Sequence, residues 1–143
     1  MEKTEHGIRT IRDAKTEDNE AIAALHEAMG LDYKMPNLES PLFLVQKVVE
    51  CDGKIIGCTA LKLEAETYLW LDPKLTARQK VEAMTGMQEH VISEAWEQGL
   101  DTVVAWVPEQ VESKFAKRLK AMGFSKDREG WHSWSRHTTP DGK

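Results

Sequence analysis

Two hydrophobic periods run through this chain, one of about 2 residues and one of about 3.6, and the places where one gives way to the other predict its elements. Residues 8–13 ("IRTIRD") read as a strand, and Asp18 stands at the cap position of a helix over residues 19–29. That helix carries Ala21, Ile22, Leu25 and Met29 on one face, and Gly30 closes it. Residues 31–41 hold Pro36, Asn37, Ser40 and Pro41, a loop by composition and long enough to be functional. Residues 43–51 and 54–63 read as a hairpin joined by Asp52-Gly53, a two-residue turn signal. A strand over 67–71 ("TYLWL") is stopped by Asp72-Pro73.

The longest helical pattern follows. Thr76 and Gln79 form a capping box, after which Val81, Met84, Met87, Val91, Ala95 and Trp96 recur as one stripe. Glu82, Glu89, Glu94 and Glu97 fall largely off that stripe, and Gly99 ends it. Residues 102–107 ("TVVAWV") are continuously apolar, the pattern of a strand buried on both faces, and Pro108 and Glu109 stop it. A helix over 112–122 places Phe115, Leu119 and Met122 together and ends at Gly123. Two last strands, over 124–126 and 131–137, turn at Glu129-Gly130. Together the segments predict a mixed sheet with helices on its faces.

With 143 residues, 41% of them hydrophobic, the chain suits one domain over residues 1–137 with a polar tail at 138–143. A net charge of −5 argues against a nucleic-acid partner, which needs a basic face, and leaves room only for small anions at a local patch. No apolar run approaches the roughly 18 residues of a membrane span, and "MEKTEHG" lacks the features of a secretion signal, so no membrane partner and a cytoplasmic location are expected. In the hairpin register Cys51 faces Lys54, and Cys58 lies about 13 Å further along at about 3.3 Å per residue, beyond disulfide reach. Both thiols are expected free. The five histidines lack ligand spacing, so no metal site is expected.

The order of these motifs resembles the GNAT acetyltransferase superfamily over almost the whole chain. "IRDAKTEDNEAIAAL" is similar to its opening strand and helix, and "VVECDGKIIGCTAL" to its hairpin. "LWLDP" is similar to its strand ending in Pro, and Met122-Gly123-Phe124 to its apolar-Gly-Phe. The resemblance implies an α/β (α+β) fold: a mixed, mostly antiparallel twisted sheet of six to seven strands with about four helices on its faces. It implies an acyl-CoA-dependent N-acyltransferase, with acetyl-CoA as acyl donor, no metal, a small-molecule or protein amine as acceptor, and a homodimer as one assembly. The donor's pantetheine arm would pair with the backbone of Leu69, Trp70 and Leu71. Its pyrophosphate would meet Arg78-Gln79-Lys80-Val81-Glu82-Ala83, the counterpart of the family's phosphate loop.

The chain departs from the family pattern there. Val81 stands in the first glycine position, and extra residues separate Pro73 from Arg78, leaving a capped helix N-terminus with Lys74, Arg78 and Lys80 as the anion site. Cations in a first turn oppose the helix dipole by about 0.3–1 kcal/mol each, a conflict that a bound phosphate relieves. Alternatively, Arg78 pairs with Glu82 one turn on and binds nothing. The tyrosine that the family uses as proton donor is replaced by Leu119, a core position by its stripe. Strand alternation groups Glu66, Tyr68 and Trp70 on one face. Tyr68 is therefore the expected acid, and His132, on a late strand that the family places near the acceptor, the expected base, with Glu66 beside them. Each also reads as an ordinary strand residue. Two rival readings stand: a catalytically inactive GNAT-like binding or regulatory module, and a mixed α/β interaction protein with Trp131 and Trp134 as its surface.

Overall fold

The computed structural model describes residues 2–4, 7–127 and 130–142, and in them the chain forms β1 (Glu2–Thr4), β2 (Gly7–Asp13), α1 (Asn19–Met29), β3 (Phe43–Cys51) and β4 (Lys54–Lys62). These are followed by β5 (Ala65–Thr67), α2 (Ala77–Glu97), β6 (Val103–Ala105) and α3 (Glu109–Ala121). The chain divides into two units, residues 1–68 with 90–106 and residues 69–89 with 107–143.

In the first unit β1, β2, β3 and β4 form an antiparallel sheet in that order. The hairpin at its centre follows from local chemistry: Asp52 and Gly53 hold φ of 50° and 80°, the left-handed pair that a two-residue turn requires, and Cys51 faces Lys54 as the spacing predicts. Two bulges interrupt the ladder. Phe43 pairs with Lys62 and Val45 with Leu61, so Leu44 is an extra residue on β3; Val49 pairs with Gly57 and Glu50 with Ile55, so Ile56 is an extra residue on β4. α1 packs against β4, and Ile22 of α1 and Val48 of β3 are buried, Val48 completely. The loop before β3 is tied down by the Gln46 side-chain N–H donating to the Leu38 carbonyl at 2.9 Å and by Asn19 donating to Glu39 at 2.8 Å.

Asp18 does not cap α1 through its side chain. Both of its oxygens are taken by the Arg12 guanidinium, at 2.8 and 3.0 Å, and the Lys15 amide adds a third bond at 2.8 Å. These bonds, two of them charge-assisted, occupy the oxygens that a cap would offer to the first amides of α1. Arg12 and then the Lys15 amide hold the Asp18 carboxyl down at about 2, against an ordinary 3.8. Since the folded-state value lies below the unfolded one, the unfolded chain takes up the proton first. The stabilisation is complete above pH 3.8 and is lost as the pH falls towards 2. Asp18→Asn should therefore lower the urea midpoint at neutral pH and lose less on acidification than the wild type; parallel acid limbs in the two proteins would contradict this.

The remaining strands correct the expectation of one sheet of six to seven strands. β5 and β6 pair with each other, in parallel, as a separate two-stranded sheet. The strand predicted over 67–71 is instead 65–67, because β6 offers only three partners; beyond them Trp70 is 82% exposed. With a two-stranded sheet, Val103 to Ala105 are half-buried rather than enclosed on both faces. Propensity makes strand residues, but only a ladder partner makes a strand.

In the second unit the Thr76–Gln79 capping box forms as read, with the Thr76 N–H on the Gln79 oxygen at 2.9 Å and the Gln79 N–H on the Thr76 hydroxyl at 3.2 Å. Along α2 the buried residues are Met84 and Gln88, with Val81 half-buried, whereas Met87 and Val91 of the predicted stripe are exposed. α3 ends as predicted: Gly123 takes φ 92° and the Phe124 amide returns to the Leu119 carbonyl at 2.9 Å. Residues 124–126 and 131–137 form no strand, since neither finds a ladder partner among the described residues. The predicted turn residue Glu129 lies outside the described residues. Three α-helices are present among the described residues, against about four expected.

Candidate functional site

The parallel register of β5 and β6 sets Glu66 opposite Val104. Residues directly opposite share a face, and so do residues two apart, which carries Tyr68 beyond the end of β5 and Trp106 beyond the end of β6 to the same side as Glu66. The Tyr68 hydroxyl donates to one Glu66 oxygen at 2.8 Å, and the Trp106 indole N–H donates to the other at 2.9 Å. These donors, Tyr68 first, hold the Glu66 carboxyl below its ordinary range, so it is ionised at neutral pH. The same bond and the Glu66 charge push the Tyr68 hydroxyl above its ordinary range, so it keeps its proton. Glu66 and Tyr68, expected on one face by alternation, are hydrogen-bonded to each other. Trp106 is an addition that sequence reading missed, because nothing local gives the register between segments so far apart.

Glu66 and Trp106 stand on an open cleft of about 550 Å³ in the first unit. Leu44, Leu61, Leu63 and Val104 give it apolar walls, and Lys62 and Glu64 complete the polar part of its lining. Lys62 is committed to Asp101 at 2.8 Å, and the Thr102 hydroxyl also donates to Asp101, at 2.9 Å. The volume lies within the roughly 300–1,000 Å³ of small-molecule sites.

The other predicted site residues are in the second unit. Asp72 shapes the approach to α2, its carboxylate accepting the Lys74 amide at 2.9 Å. Arg78 reaches Glu82 at 3.0 Å, both side chains largely exposed. Gln79 serves the capping box, Lys80, Val81 and Ala83 are half-buried, and Leu69, Trp70 and Leu71 lie outside any strand. His132 is exposed on a segment without strand pairing, and Leu119 is half-buried on α3, as its stripe predicts.

Neither Cys51 nor Cys58 takes part in a disulfide among the described residues. Burial, and then the Asp18 charge, push the Cys58 thiol up, which disfavours a nucleophilic thiolate. Among the described residues no cluster of His, Cys, Asp and Glu has the arrangement of a metal site, and no helix is long and apolar enough to cross a membrane.

No family model and no curated protein matches this chain. Among solved structures it is similar to the crystal structure of a predicted acetyltransferase with acetyl-CoA from Clostridium acetobutylicum. The identity is 16% over 90% of this chain and 96% of that one, with a TM-score of 0.36.

Proposed function

We propose that the protein is an acyl-CoA-dependent N-acyltransferase in which Glu66 and Tyr68 move the protons. What supports the reading is their 2.8 Å hydrogen bond at the edge of an apolar cleft. In the reaction the amine nitrogen attacks the thioester carbonyl carbon, forming a C–N bond as the C–S bond breaks. The amine's surplus proton passes to Glu66, and the Tyr68 hydroxyl proton passes to the departing sulfur. Transfer of the Glu66 proton to the Tyr68 oxygen along their shared bond then restores both groups. Glu66 is a weak base by virtue of its two donors, and this route asks it to hold the proton only in passing. His132 is the alternative acceptor of the amine's proton, and His132→Ala separates the two: turnover should be retained if Glu66 serves.

The acyl donor's phosphates are assigned to the N-terminus of α2, where the dipole and the cations at Lys74, Arg78 and Lys80 favour an anion. Arg78→Glu together with Lys80→Glu should weaken acetyl-CoA binding by about 1–3 kcal/mol through lost charge-assisted bonds, and wild-type affinity should fall with added salt. Calorimetry with acetyl-CoA reads both effects; an unchanged affinity in the double variant would remove this assignment.

A second reading, a binding module without turnover, is favoured by one observation. Arg78 already has a partner in Glu82, which offsets the charge that the phosphates would seek. Acetyl-CoA binding without transfer to any amine in a panel of small molecules, peptides and proteins would select it.

A further inference from the structure

We propose that the cleft of the first unit binds a small organic ammonium ion carried on an aliphatic stem, with Glu64 and Glu66 taking the charge, Trp106 covering it and the leucines taking the stem. The proposal names the acceptor of the acyltransferase reading; it rests on that reading for the reaction, before which the bound ammonium gives up one proton to water to become the attacking amine, but not for the binding.

Charge decides the sign of the ligand. Among the described residues lining the cleft, Lys62 is the one cation and Glu64 and Glu66 are the carboxylates. Lys62 is ion-paired with Asp101, which does not itself line the cleft, so no cation of the described lining is left to compensate the two glutamates. Each Glu66 oxygen accepts one bond, from Tyr68 or from Trp106, while a carboxylate has about four acceptor sites, so acceptor capacity remains for an ammonium. Trp106 is 62% exposed as a residue while its indole N–H is fixed on Glu66, which holds an aromatic ring beside the carboxylate where a cation could meet it.

The stem follows from the walls. Leu44, Leu61 and Leu63 are 59%, 58% and 43% exposed, an apolar surface that an alkyl chain would remove from water. The phosphates of an acyl donor would meet two carboxylates here and be repelled, which leaves the cleft to the acceptor and its edge to the uncharged thioester end of the donor.

The test is calorimetry on the full chain without acetyl-CoA, using n-hexylammonium, n-hexanol and hexanoate as probes. n-Hexylammonium should bind about tenfold more tightly than n-hexanol, from two partly exposed ion pairs and the indole face, and hexanoate should not bind. Glu64→Gln and Glu66→Gln should each weaken n-hexylammonium by about three- to fivefold, and together by about tenfold, with n-hexanol unaffected. Equal affinity for n-hexylammonium and n-hexanol, binding of hexanoate, or a double variant that keeps its ammonium affinity would overturn the proposal. If n-hexylammonium binds as described but no acetyl group is transferred to it or any other amine, the site stands and the acyltransferase reading fails. If acetyl transfer to an amine proceeds while the double variant keeps wild-type ammonium affinity, that reading stands and this site fails.

Discussion

Tyr68→Phe should lower acyl transfer by about 10²–10⁴-fold while leaving acetyl-CoA affinity unchanged, the range expected for loss of one positioned proton donor. The substitution removes a single oxygen and retains the ring. That oxygen donates to Glu66 at 2.8 Å and is the first cause of the low Glu66 carboxyl. Without it the Glu66 carboxyl rises towards its ordinary range, and the acid limb of the pH–rate profile should move to higher pH. The two readouts separate roles. A relay loses turnover and shifts the limb; a residue that only positions Glu66 shifts the limb with turnover nearly intact. Full turnover with an unmoved limb would remove Tyr68 from the mechanism.

Met84→Ala should cost about 2–5 kcal/mol of stability, by lost burial and the cavity left behind. Met84 is 3% exposed on α2, whereas Met87, predicted to share its face, is 44% exposed. Met87→Ala should therefore stay within about 0.5 kcal/mol of wild type. Urea unfolding of the two variants tests the orientation of the helix directly. Equal losses would mean that Met87 is as buried as Met84, returning the helix face to the one its apolar spacing suggests.

What could be read from the sequence was set by how local its cause is. The capping box at Thr76, the Asp52-Gly53 turn and the Gly123 helix stop each depend on residues within a few positions, and all three form as read. Glu66 and Tyr68 meet because alternation along one segment already places them together. Trp106 joins them only through a ladder between segments far apart in the chain, and no local pattern carries that register. The same gap misplaces strand limits: "TYLWL" has the composition of a strand, but the ladder runs over Ala65–Thr67. Asp18 fails as a helix cap for a related reason, since the Arg12 that claims its oxygens comes from another element, β2. The apolar stripe of α2 overcounted its buried face because Gln88, a polar residue, is buried where Met87 is not.

The bulge at Leu44 bears on how this cleft can change over evolutionary time. In a regular strand, inserting or deleting one residue turns every side chain beyond it to the opposite face. At Leu44 the ladder already contains the surplus residue: Phe43 and Val45 pair with neighbouring positions, Lys62 and Leu61. Deleting residue 44 would close this bulge, leave the one at Ile56 and the facing of its neighbours as they are, and remove one wall of the cleft. Length variation and side-chain size at this one position are thereby uncoupled from the sheet, so related chains can differ in what the cleft admits while keeping the same hairpin.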